Sequence, residues 1–302
     1  MVTKATPADH TETLYSGLGR IINAEIFKLR KRPMTRILLV ILAGIIIIVN
    51  LLLLAISKVT LPSPGEQIGS IQNLLGLPAA IPFALSLVSS FGSVLAVILI
   101  ASSAGNEYNW RTIRTFIVSC ESRFKFLTAK LISAGVFILI GMICGVAIGF
   151  IMSLITTAIG GYAFDFSFAT GSYLWAQFLQ FWRTLYVMLP FILLGFLMSI
   201  VGRSAMPGIA TGIGVFFLES IITTFMRLAG GWIARIPDYL LTANVNALNA
   251  LADLPRGFQG GFGGSSTQAL PSPAHAYITL GIYSLVFLAL GFYIFRKRDI
   301  TG

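Results

Sequence analysis

Six long apolar runs alternate with polar segments along this chain, at residues 37–57, 79–101, 131–156, 185–201, 205–225 and 277–295. Each approaches the length of about 20 residues that a helix needs to cross hydrocarbon, which predicts an all-α integral membrane protein with six transmembrane helices. Ahead of the first run, Leu14, Leu18, Ile22, Ile26 and Leu29 recur at helical spacing, while Arg20, Asn23 and Lys28 fall elsewhere on the wheel. This pattern predicts an amphipathic interface helix over 14–35, broken or turned into the first span at Pro33. A plain lipid-surface anchor is as compatible with that pattern as a docking element. Residues 1–13 are polar and predict a flexible cytoplasmic tail with no signal-peptide core.

Two connections carry a pattern of their own. In the segment 104–130, Ile113, Phe116 and Ile117 share one helical face and Arg111 and Arg114 mark another, which predicts a short cytoplasmic helix between spans 2 and 3. The segment 226–273 is long and external. Its part from 237 to 254 reads as a helix with Pro near its start and Leu241, Val245, Leu248 and Leu251 on one side, dipping into the outer interface. The Gly- and Ser-rich stretch that follows predicts flexible chain.

Charge orients this arrangement. With the N-terminus inside, the cytoplasmic segments hold Lys4, Arg20, Lys28, Arg30, Lys31, Arg32, Arg36, Arg111, Arg114, Arg123, Lys125, Lys130, Arg203, Arg296, Lys297 and Arg298. The other side holds Lys58, Arg183, Arg227, Arg235 and Arg256. The positive-inside rule therefore predicts both termini in the cytoplasm and an even number of spans. The formal net charge of +10 does not point to nucleic acid, because the basic residues flank spans instead of forming one face. Charged residues make up 11% of the chain, far below the quarter usual in soluble domains. No Asn-x-Ser/Thr sequon occurs, in keeping with a prokaryotic plasma membrane.

Within the runs, Gly141, Gly145 and Gly149 share one helical face, where small residues let helices approach closely, either inside the chain or across a subunit interface. Gly208, Gly212 and Gly214 follow Pro207, and this fifth run is expected to be packed among other helices. Glu219 in that run and Arg183 near the outer start of the fourth stand at similar predicted depth. Ionisable groups there face protein, water or a partner charge. An intramembrane charge pair Arg183–Glu219 is the expected arrangement, with a substrate or proton site as the alternative.

The chemistry that is missing narrows the classes. The chain has no GxxxxGK[ST] phosphate loop, no HExxH, isolated His10 and His275, and only Cys120 and Cys144. Neither a nucleotide, a metal cofactor nor a disulfide framework is expected in this chain, and enzyme activity is not.

Ala24-Glu25 with Lys28 before span 1, Glu107 closing span 2, Thr112 and Arg114, then Ser122-Arg123, and Ala129-Lys130 opening span 3 form a sequence of motifs. Together they resemble the permease subunits of type-2 ATP-binding-cassette exporters, from about 14 to 298, including the short turn Gly202, Arg203 and Ser204. Such families often carry Gly before the Thr, where this chain has Arg111. The resemblance implies a single transmembrane permease domain over 14–302 that pairs with a second permease, identical or homologous. It also implies cytoplasmic ATPase subunits, which use ATP and Mg, docked through Glu25, Lys28, Glu107, Arg111, Thr112, Arg114 and Arg123. An ATP-independent channel or secondary carrier using Glu219 and Arg183, and a non-transporting scaffold, are the competing classes.

Overall fold

The computed structural model describes residues 10–59, 74, 76–109, 123–160, 164, 166–252, 254 and 270–297. These residues form helices joined by turns, with no strand among them. Helix α1 spans His10–Lys31 and α2 spans Pro33–Val59. A 3-10 turn (Leu77–Ala79), α3 (Ala80–Leu87), a π-helical turn (Val88–Gly92) and α4 (Ser93–Asn109) follow one another as a single crossing element. Then come α5 (Arg123–Gly160), α6 (Gly171–Val201), α7 (Ala205–Ala229), a 3-10 helix (Ile233–Tyr239), α8 (Leu241–Asn249) and α9 (Pro273–Lys297). Six of these elements are long and apolar enough to cross a membrane.

Two crossings form the centre, the α3–α4 element and α6, whose apolar windows are 72% and 67% buried, against 17% for α7 and for α9. Small residues explain the depth of α4. Ala96, Ala101, Ser102, Ser103 and Ala104 are all buried, and their short side chains let α6 and α7 lie close against it. Two of the buried hydroxyls bond the preceding turn: Ser102 Oγ donates to the Ile98 carbonyl at 2.7 Å and Ser199 Oγ to the Gly195 carbonyl at 2.8 Å.

Backbone geometry sets the two reversals around α7. Thr170 caps α6 by accepting from the Tyr173 N–H, and Ser204 caps α7 by accepting from Met206. Between them Arg203 takes a left-handed φ of 52°, which lets the chain turn within Gly202–Ser204. At the far end, Gly230 and Gly231, at φ of 70° and 62°, fold the chain back onto the bundle at little steric cost.

The structure departs from the sequence-based expectation in three places. Helix α1 reaches back to His10, into the segment read as flexible tail. The fifth span, α7, is packed only on its glycine face; Phe217, Leu218, Ile221, Ile222, Phe225 and Leu228 on its outer half are exposed apolar residues. Its small residues form a narrow stripe, with close contacts at Gly208 and Gly212 and none at Gly214, so the span is not enclosed all round. Finally, α8, read from sequence as a helix with a single apolar side, packs against α6, α7 and α9 with Leu241, Thr242, Ala243, Asn244, Val245, Ala247 and Leu248 all buried. Leu251, expected on its apolar face, is exposed. The Gly- and Ser-rich stretch and the helix expected at 111–117 lie outside the described residues.

Candidate functional site

Two clusters of buried charge stand at opposite ends of the bundle. The first joins α1 to the beginning of α5. Glu25 lies on the packed face of α1, together with Leu29, and is 3% exposed; Lys130, two turns into α5, is 2% exposed. The Lys130 ammonium donates to Glu25 Oε2 at 3.3 Å and to the Ser103 carbonyl in α4 at 3.0 Å, and lies 5.1 Å from the centre of the Phe126 ring. Lys28 donates to the other carboxylate oxygen, Oε1, at 3.4 Å. Burial by itself raises the Glu25 pKa, but the two ammonium groups and their hydrogen bonds outweigh it and hold the carboxyl below its usual range. Three elements, α1, α4 and α5, are thereby tied at one point by charge-assisted hydrogen bonds in a medium of low dielectric.

The second cluster holds α8 in place. Leu240, at the N-cap of α8, offers no side-chain acceptor to the free N–H groups of that helix. Glu219 on α7 supplies one from outside: Thr242 Oγ1 donates to Glu219 Oε2 at 3.0 Å, and the backbone N–H groups of Leu241 and Thr242 face the same carboxylate. An anion at a helix N-terminus is favoured by the helix dipole as well as by these bonds. Around it, Arg227 and Asp238 form an ion pair at 3.0 Å, and His275 Nε2 donates to the Asp238 carbonyl at 2.9 Å. Tyr283 in α9 donates to the Tyr239 carbonyl at 3.2 Å. At the other end of α8, Asn249 accepts from Ser89 at 3.1 Å, within the π-helical turn of the central crossing.

The groups that act on the Glu219 carboxylate are Thr242 and Leu241 at the start of α8, where the sequence suggested Arg183. Helix rise explains why. Measured from the Gly202–Ser204 turn, Arg183 stands about 27 Å along α6 and Glu219 about 21 Å along α7, so their depths are offset by about a helical turn. The start of α8 fills the space beside the carboxylate. Accordingly Glu219→Ala should destabilise the protein by about 1–3 kcal/mol through orphaned N–H groups at the start of α8. A thermal-stability cycle should find the losses in Glu219→Ala and Arg183→Gln additive within about 0.5 kcal/mol. Mutual rescue in the double variant would restore the ion pair as the better description.

The remaining expected site residues are distributed unevenly. Glu25 and Lys28 meet in the first cluster. Glu107 lies in the last turn of α4 and Arg123 opens α5. Arg111, Thr112 and Arg114 lie outside the described residues. Of the three glycines on α5, Gly145 and Gly149 sit at close approaches within the chain: a Cβ at Gly145 would stand 2.7 Å from a Val88 methyl, and one at Gly149 would overlap Ala84. Gly141 faces Leu39 at an ordinary 3.5 Å. Lys130 was visible from sequence only as a basic residue opening span 3, and Thr242 and Ser103 gave no signal at all, since each acts through a partner distant in the chain.

Six helices fit to cross a bilayer, with ionisable groups buried in pairs or against a helix terminus, define an all-α multi-pass membrane protein. The chain belongs to the family described as "Protein of unknown function (DUF2705)", whose model it matches over residues 68–301. It is also similar to the "Uncharacterized protein YhcI" of Bacillus subtilis (strain 168), at 26% identity over 221 residues, or 69% of this chain and 64% of that protein's length.

Proposed function

We propose that this chain is the membrane-spanning permease subunit of an ATP-driven exporter of the ATP-binding-cassette class. In this reading it lies in a prokaryotic plasma membrane with both termini cytoplasmic. It forms the translocation pathway with a second permease, and separate cytoplasmic subunits bind and hydrolyse ATP with Mg. The observation that carries the reading is the Glu25–Lys130 junction. An amphipathic helix ahead of span 1 is tied by a buried ion pair to the opening turns of span 3, at the end of the bundle where positive charge concentrates. A soluble motor gripping α1 beside the opening turns of α5 would act on elements already joined by that ion pair and pass its closure into the spans as a body movement. The series Glu25, Lys28, Glu107, Thr112, Arg114 and Arg123 supports the same reading through the family it resembles.

Co-expression with candidate phosphate-loop ATPases tests this directly. The wild-type chain should co-purify with its ATPase and stimulate hydrolysis, and the double variant Thr112→Ala/Arg114→Ala should lose stimulation while inserting normally. Substrate movement by the purified chain without any ATPase would favour a secondary carrier instead, with Glu219 as its first candidate group.

A further inference from the structure

Beside the charged junction, α2 touches α4 only lightly while packing closely on α5, and the mismatch leaves a crevice between the three helices. It is lined by Leu38, Leu42, Leu95, Leu99 and Phe137 among other apolar groups, with Thr35 as the polar exception. The lining runs along the central crossing from Leu99 to Val88, about 16 Å of helix rise, or roughly half of a hydrocarbon core about 30 Å thick. An apolar slot is unfavourable for water, and a bilayer around the helices offers lipid chains. At the Thr35 end, cations collect: Arg36 stands one turn before Leu39 on α2, and Arg30 and Lys31 end α1, all three exposed.

The geometry points to a binding site for one anionic phospholipid from the leaflet that borders the α1–α2 junction. One acyl chain lies in the crevice between α2, α4 and α5, and the phosphate rests on Arg36 and Arg30. The length of the slot matches one leaflet, and Arg36 directly follows Thr35, the polar residue of the lining, on α2. Basic groups at the mouth of an interhelical pocket are a known way to select an acidic lipid. Such a site requires only that the six helices cross a bilayer, and it is independent of any transport activity. Bound there, the lipid would complete the packing of α2, whose span is only 28% buried by protein.

Native mass spectrometry of the purified full-length chain, titrated with phosphatidylglycerol and phosphatidylcholine, tests the site. The wild type should retain one phosphatidylglycerol in preference to phosphatidylcholine. Leu38→Trp on α2 and Leu95→Trp on α4, each filling the slot from a different wall, should abolish retention of both lipids. Arg36→Gln and Arg30→Gln should keep the chain site but reduce the preference for phosphatidylglycerol roughly fivefold per arginine, the factor equivalent to ~1 kcal/mol per juxtamembrane charge. Because the wild type is itself measured, misfolding of a Trp variant leaves the test intact. A wild type that retains no stoichiometric lipid, equal retention of the two lipids, or retention unchanged by both Trp variants would overturn the assignment.

Discussion

Replacing Lys130 by Met is expected to free α1 from the bundle. The substitution keeps an unbranched apolar stem but leaves Glu25, 3% exposed, without its most deeply buried partner. Removing one member of a buried ion pair costs about 3–5 kcal/mol, because the remaining charge stays desolvated. Glu25→Gln should act in the same direction and more weakly, since the amide can still accept one hydrogen bond. The double variant Glu25→Met/Lys130→Met should recover much of the loss, as apolar replacement of a whole buried pair often does. Leu29, 1% exposed on the same helix, offers the readout: a cysteine introduced there should be shielded from maleimide in an otherwise wild-type chain and react rapidly in Lys130→Met. Shielding that survived the substitution would mean that apolar packing alone holds α1.

Acid should have the same effect as the mutation. The Glu25 carboxyl is held below its ordinary value of 4.5, so the folded state favours the ionised form more than the unfolded chain does. Its contribution to docking is therefore complete above that value, and is lost as pH falls through the lower folded pKa. Labelling at position 29 should stay flat across the neutral range and rise only in acid below 4.5. In Glu25→Gln that acid step should be absent.

An equally large effect is expected where helices touch through glycine. A Cβ at Gly105 would overlap the backbone of Ser204 and Ala205, and one at Gly208 would overlap Ser199 Oγ and the Gly195 carbonyl. Backbone cannot step aside by changing rotamer, so Gly105→Val and Gly208→Val must push α4, α6 and α7 apart. Overpacking costs typically 1–3 kcal/mol and more where backbone has to move, and these two sites belong at or above the top of that range. Gly214, on the same helix as Gly208, meets nothing within 4 Å, so Gly214→Ala should be neutral or slightly stabilising through helix propensity. Thermal unfolding of the three purified variants checks the contrast. Similar losses at Gly208 and Gly214 would refute the close contact.

These glycines show where sequence reading stops. Gly208, Gly212 and Gly214 look equivalent as a string, yet an added Cβ meets Val97 at Gly212 and open space at Gly214. In the same way Gly145 and Gly149 seat against the α3–α4 element, while Gly141 does not need to be glycine on steric grounds. Small size is a property of the residue; whether it is required depends on which helix lies opposite and at what depth.

The number of crossing helices and the amphipathic character of α1 follow from the chain alone. Transfer of an apolar run into hydrocarbon is a sum over neighbouring residues, and a helix satisfies its backbone internally wherever it lies. The partner of each buried charge was decided only in three dimensions. Glu25 finds Lys130 across 105 positions, and Glu219 finds the start of α8 instead of Arg183. A pairing of that kind depends on helix register, on the depth offset between spans and on whether a connecting segment folds back into the bundle. None of these is a sum over neighbours; each arises only when helices distant in the chain compete for the same buried volume.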